Sequence, residues 1–184
     1  MLLRNNKICE LCVHSKLPFY GIKYKCFQDS YLKSIQLTLI TGIHKLVGTW
    51  KYKVNKYIVF TDFLKNRFIN SSLQLKPEQV FIKPNFVLDH GFKVEDRSDY
   101  FLFVGRLSRE KGIETLLKAG ALNNFKVEII GGGELQYLVE EYCLKNSNIT
   151  YHGFQEKDFI INKMKDSKAL IFPSIWYEGM PITI

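Results

Sequence analysis

The chain has no uninterrupted apolar run of the ~20 residues that a membrane-spanning helix needs, and its first residues, MLLRNNKICELC, lack the apolar core of a secretion signal. The expectation is a cytoplasmic protein. Cysteine is sparse, at four residues, Cys9, Cys12, Cys26 and Cys143, which accords with a reducing compartment. A CxxC pair such as Cys9 and Cys12 also serves as a disulfide or a metal site. Acid is scarce in one half only. Residues 1–98 hold 16 Lys plus Arg against 7 Asp plus Glu, a net +9, whereas residues 99–184 hold 10 against 11, a net −1. A basic half attracts nucleic acid, anionic lipid or an acidic substrate, and evenly spread surface lysine is the plainer reading.

What is present is enough apolar residue, 46% of 184, to bury a core in one large or two small domains. Residues 100–117, YFLFVGRLSREKGIETLL, compress strand, turn and helix into one stretch. An aromatic and β-branched run ends on Gly105, Arg106 and Lys111 follow, and Ile113, Leu116 and Leu117 recur at helical spacing. In an open α/β sheet ligands bind at that carboxyl edge, and a helix starting there adds N–H groups and a positive dipole end suited to phosphate. Arg106 and Lys111 therefore read as a diphosphate clamp. Further strands are expected at residues 126–130, 149–151 and 169–172, with helices at 134–145 and 156–166, the latter turning Phe159, Ile160 and Met164 inward. That alternation specifies an α/β fold with a parallel, doubly wound sheet. Gly131, Gly132 and Gly133 close the second strand. A dinucleotide fingerprint would need another glycine at position 136, which is Gln136, so NAD is disfavoured. Gly131 and Gly133 either let a ligand approach the backbone or make a tight turn. His152, a lone histidine in a turn, receives no catalytic role.

Four segments in this order, residues 100–117, 129–135 (IIGGGEL), 151–154 (YHGF) and 172–184 (FPSIWYEGMPITI), resemble the donor-binding domain of retaining glycosyltransferase family 4, also called glycosyltransferase group 1, of GT-B fold. The resemblance extends from about residue 8 to the last residue. It implies a partial acceptor-side Rossmann-like domain over residues 1–96 and an incomplete nucleotide-sugar-binding domain over 97–184, joined by a polar linker at 91–99. The implied reaction moves a sugar from a nucleotide-sugar donor to a saccharide or lipid-linked acceptor, with retention, in bacterial surface polysaccharide synthesis. Arg106 and Lys111 would neutralise the leaving nucleotide diphosphate, and Gly105, Gly131, Gly133, Gly179 and Met180 would face the donor. Glu178 matches the first of two family glutamates and would hold sugar hydroxyls, the alternative being an ordinary acid at a helix start. The second would fall at position 186, beyond residue 184. The family is metal-independent, so no cofactor is implied. Because parts of both domains are unmatched, the chain by itself is expected to expose apolar surface and not to turn over donor. A reading from another class is a non-catalytic nucleotide-sugar-binding or scaffolding module. Nucleic acid is not an expected partner, since no recognition motif accompanies the basic half.

In the first half, Cys9, Cys12 and Cys26, with His14 as a candidate fourth ligand, form either a thiolate metal site or reduced structural thiols. The segment resembles a cysteine-bearing insertion of a bacterial subset of the family. Residues 29–55 carry Leu32, Ile35, Leu39, Ile43, Leu46 and Trp50 on one stripe, which predicts a single long helix capped by Asp29 or Ser30. Its lysines, at 33, 45, 51 and 53, suit either the wet side of a core-facing helix or contact with the inner face of a membrane. Residues 57–60 read as a buried strand, Thr61 and Asp62 as caps of a helix holding Phe63, Leu64, Phe68 and Ile69, and residues 80–83 as a strand broken by Pro84 and Asn85. That strand and Pro-Asn turn resemble those before the family's interdomain hinge.

Overall fold

A computed structural model describes residues 3–5, 7–93 and 96–183, so positions 94 and 95 of the expected linker and residue 184 of the last motif lie outside it. The chain divides into two compact units, one of residues 1–86 with 177–182, the other of residues 87–176 with Thr183.

In the first unit, a short hairpin of β1 (Leu3–Arg4) and β2 (Lys7–Ile8) precedes α1 (Phe19–Lys23), α2 (Tyr31–Leu46) and α3 (Thr49–Tyr52). Ser30 caps α2, its hydroxyl accepting from the Lys33 N–H at 3.5 Å. The single helix expected over residues 29–55 is interrupted at Gly48, whose φ of +68° is left-handed and ends the regular ladder. The apolar stripe is also turned the other way from a core-facing helix. Leu32 is 80% exposed and Leu46 59%, while Ser34, Thr38 and Gly42, one turn apart, are the buried positions. The loop at residues 13–27 runs so close to α2 that a Cβ on Gly42 would sit 2.4 Å from Leu17 Cδ2. The small polar side chains serve that loop's backbone, with Ser34 Oγ accepting from the Phe27 N–H at 3.1 Å and Thr38 Oγ1 donating to the Pro18 carbonyl at 3.5 Å.

After α3, β3 (Tyr57–Val59) pairs in parallel with β4 (Val80–Ile82), and α4 (Asp62–Ile69) connects them, with Thr61 accepting from the Leu64 N–H at 3.3 Å as its cap. Val59, Val80 and Leu75 form the small core against Leu64, Phe68 and Ile69. The opposite sheet face is open, with the cross-strand pair Ile58 and Phe81 both exposed. The strand expected to be buried is therefore buried on one side only.

The second unit alternates β5 (Phe101–Val104), α5 (Ile113–Asn123), β6 (Val127–Ile130), α6 (Gln136–Lys145), β7 (Ile149–Tyr151), α7 (Lys157–Asp166) and β8 (Ala169–Leu170). The strands form one parallel sheet in the order β7-β6-β5-β8. Successive side chains of β5 and β6 go to opposite faces. Phe103 and Ile129 join Ile113, Leu116, Leu117 and Val139 of α5 and α6, whereas Leu102 and Ile130 meet Phe159, Ile160 and Met164 of α7. Helices thus cover both faces, and the doubly wound α/β fold anticipated from the alternation is the one observed.

Candidate functional site

The carboxyl ends of β5 and β6 exit side by side into Gly105 and Gly131, and the two turns are laced by backbone hydrogen bonds. Gly105 N–H donates to the Ile130 carbonyl at 3.0 Å, Leu107 N–H to that of Gly132 at 2.9 Å, and Leu135 N–H to that of Leu107 at 2.9 Å. This lacing explains the glycines. A Cβ on Gly131, whose φ is +136°, would lie 1.9 Å from the Gly105 carbonyl oxygen, and one on Gly133 would lie 2.5 Å from that of Leu107. Both are required by the tight turn itself, whatever binds beside it.

Above these turns lies a cavity of about 420 Å³ lined by Gly105, Arg106, Gly131, Gly132, Phe154 and Gln155 among others. The structure thus brings Arg106, Gly105 and Gly131 together around one hollow at the carboxyl edge of the sheet. Lys111 is not part of that lining. It ends a 3₁₀ turn at Arg109–Lys111, and its ammonium lies 5.6 Å from the centre of the Phe172 ring. Arg109 pairs with Glu114 at 3.4 Å. Gly112, which the sequence pattern did not single out, holds this turn in place. Its φ is +72° and a Cβ would lie 2.0 Å from the Pro173 carbonyl oxygen, so the exit from β8 presses directly on the start of α5.

Phe154, 84% exposed, and Gln155 are cavity residues not anticipated. Their position just past the third strand was the available signal, since ligands gather at strand carboxyl ends. His152 is accounted for structurally. Its Nε2 lies 2.9 Å from Glu128, which also receives Lys163 at 2.6 Å.

Glu178, Gly179 and Met180 belong with the first unit. Tyr177 donates to Glu10 at 2.5 Å, Asn85 Nδ2 donates to the Met180 carbonyl at 2.8 Å, and Gly179 packs on Leu64 and Phe60 of the helix-and-strand layer.

The cysteine segment contains a cavity of about 460 Å³ lined by Cys9, Cys12, Cys26, Tyr20, Tyr24 and Lys45 among others. All four cysteines are free. Burial, then the neighbouring Cys12 and Cys9, push the Cys26 thiol above its ordinary value, and burial lowers Lys45, whose ammonium donates to the Ser15 carbonyl at 3.0 Å. Among the described residues no group of three His, Cys, Asp or Glu side chains is arranged to hold a metal ion. No described helix is long and apolar enough to cross a membrane.

Comparison with known proteins decides the family. The model of the family described as Glycosyl transferases group 1 matches residues 89–184, more than half of the chain. The chain belongs to the glycosyl transferases group 1 family. Among curated relatives, this group 1 chain is 30% identical over 90 residues to an uncharacterized glycosyltransferase of Methanocaldococcus jannaschii, covering 45% of the chain and 23% of that protein. It is 25% identical over 178 residues to an uncharacterized 42.6 kDa protein in the cps region of Klebsiella pneumoniae, covering 90% of the chain and 45% of that protein. The chain therefore spans less than half the length of the curated relatives it matches. Among solved structures, a mutant of S. aureus TarM in complex with fondaparinux, α-GlcNAc-glycerol and UDP superposes with a TM-score of 0.61 at 23% identity, covering 76% of this chain and 29% of that one. The pneumococcal O-GlcNAc transferase GtfA, in complex with UDP and GlcNAc, gives 0.56 at 20% identity, covering 76% and 29%. At that identity the likeness shows the GT-B fold of the group 1 chain.

Proposed function

We propose that this group 1 chain contributes to a retaining glycosyltransferase of family 4, moving a hexosyl-type sugar from a nucleotide-sugar donor to a saccharide or lipid-linked acceptor in surface polysaccharide synthesis. The observation that carries the reading is the hollow at the sheet's carboxyl edge, which Arg106 lines together with the glycine turns that follow β5 and β6. In such a transfer the bond between the anomeric carbon and the diphosphate oxygen breaks, its electron pair stays on the diphosphate, and a bond forms to an acceptor oxygen whose proton passes to the departing diphosphate. Arg106 and Lys111 answer the charge developing on the diphosphate, the electrostatic part of the catalysis, and Glu178 receives sugar hydroxyls. With two cations assigned to that charge, the scheme calls for no metal. The Klebsiella relative encoded in a cps region, and the UDP bound in TarM and GtfA, support a polysaccharide role and a uridine donor.

Calorimetric titration with UDP tests the reading. Arg106→Ala and Lys111→Ala are each expected to weaken binding by ~1.5–3 kcal/mol, the range for hydrogen bonds to charged groups, with the far-UV spectrum unchanged. Unchanged affinity in both variants would remove the clamp. The basic residues of the first half are proposed to rest on the anionic inner face of a membrane, as a peripheral contact of a cytoplasmic protein. Liposome flotation should then rise with anionic lipid and fall with salt, and binding indifferent to lipid charge would count against it.

A further inference from the structure

The turn bearing Glu178 is gripped on both sides by residues that have no role in the scheme above. Immediately before it, the Tyr177 ring lies 5.0 Å from Phe63 and 4.8 Å from the Arg67 guanidinium, while its hydroxyl donates to Glu10 at 2.5 Å. Glu10 in turn pairs with Arg67 at 2.8 Å. Immediately after it, Gly179 leaves only 3.3 Å between a would-be Cβ and both Leu64 and Phe60. The next carbonyl, that of Met180, accepts from Asn85 at 2.8 Å. Three pieces of chain far apart in sequence, at residues 10, 67 and 85, thus hold the backbone one residue before and two residues after a single glutamate.

Part of this grip is not required for packing. A phenylalanine at 177 would fill the same place against Phe63 and Arg67, so the hydroxyl adds only the bond to Glu10. That bond pins the tip of the ring to Glu10, and with it the place of the Tyr177 backbone from which Glu178 follows. A carboxylate that must meet sugar hydroxyls needs such fixing, because an error of about 1 Å in a positioned group costs orders of magnitude in rate.

We infer that Glu10, Arg67 and Asn85 are positioning residues for Glu178, acting through the Tyr177 hydroxyl and the Met180 carbonyl. The inference rests on the sugar-binding role proposed for Glu178. It predicts a split between the two parts of the donor. Sugar recognition depends on the grip, and diphosphate recognition, assigned to Arg106 and Lys111, does not.

The experiment titrates the 184-residue chain with UDP and with UDP-GlcNAc, as wild type and as Tyr177→Phe, Glu10→Ala, Glu10→Gln and Asn85→Ala. The affinity for UDP should stay within about twofold in every variant, while the extra affinity of UDP-GlcNAc over UDP falls roughly fivefold or more in Tyr177→Phe, Glu10→Ala and Asn85→Ala, the loss of one hydrogen bond. Glu10→Gln, which still accepts from a hydroxyl, should restore most of it. Equal losses for UDP and UDP-GlcNAc, or no loss, would overturn the inference. A ligand-free arm separates it from the donor reading. Trp50 and Trp176 are the two tryptophans, so in a Trp50→Phe background Trp176 reports directly beside Tyr177. Acrylamide quenching of Trp176 should rise in Tyr177→Phe and return to normal in Glu10→Gln. Failure of the wild type to bind UDP at all would refute the donor reading, and unchanged quenching in Tyr177→Phe would refute the grip.

Discussion

Replacing Gly131 by alanine should be among the most damaging single-methyl changes available in this chain, and the glycine beside it supplies the control. The new Cβ would lie 1.9 Å from the Gly105 carbonyl oxygen and 2.9 Å from its carbon, inside the 3.0 Å that Cβ atoms respect. Both partners are main chain, so no rotamer relieves the contact. Gly105 is tied by its N–H to Ile130 and Gly131 by its own to Gly153, so separating the turns strains the last rungs of β5, β6 and the exit from β7. A strained backbone at a φ of +136° adds about 1–3 kcal/mol and forced repacking a further ~1–3 kcal/mol, for a loss of roughly 2–6 kcal/mol. Gly132→Ala meets nothing within 4 Å and should stay within about 0.5 kcal/mol of wild type. The two variants share composition and nearly share their unfolded-chain entropy, so the difference reports the folded clash. Thermal unfolding by circular dichroism reads it, at ~4–8 °C per kcal/mol for a unit of this size, so Gly131→Ala should melt at least about 6 °C below Gly132→Ala. Coincident melting curves would refute the claim that the laced turns require glycine at 131.

The reversed face of α2 predicts that Leu39→Lys, at a residue 54% exposed, changes stability by less than about 0.5 kcal/mol, whereas Ser34→Leu, at 2% exposed, costs ~1–3 kcal/mol by overpacking; urea denaturation of both decides the orientation. Tyr100 is pushed up to about 12, first by burial and then by Glu128 and Asp166, with its hydroxyl donating to the Lys163 carbonyl at 3.0 Å. A folded pKa above the unfolded one contributes stability that is full below pH ~10 and lost as pH rises toward the folded value, so tyrosinate absorbance should show a late-titrating group that Tyr100→Phe removes. Glu10 is held below its ordinary value first by the Tyr177 hydroxyl and then by Arg67. Its contribution is present above the unfolded pKa and lost as pH falls through the depressed one, so Trp176 quenching should rise only on the acid side of the usual carboxylate range, and a rise centred near pH ~4.3 would argue against the bond.

The sequence by itself determined the second unit's parallel sheet. Its first three strands are short runs rich in β-branched or aromatic residues with a turn at the end, and the helices between them carry their inward faces in a local period. That Gly105, Arg106 and Gly131 gather at one edge of the sheet was legible for the same reason, because each lies just past a strand's carboxyl end. The interruption of α2 was also written locally, in Gly48, but apolar spacing on either side of it pointed to a continuous helix. What only the tertiary structure decided is of another kind. Periodicity marks the apolar stripe of α2 without saying which side the protein occupies, and close approach of the 13–27 loop selected the small residues instead. The need for glycine at 112 came from Pro173, a residue distant in sequence. Most of all, the bond between Glu10 and Tyr177 joins positions 167 residues apart, and no local pattern records a partner that the chain meets only on folding back upon itself.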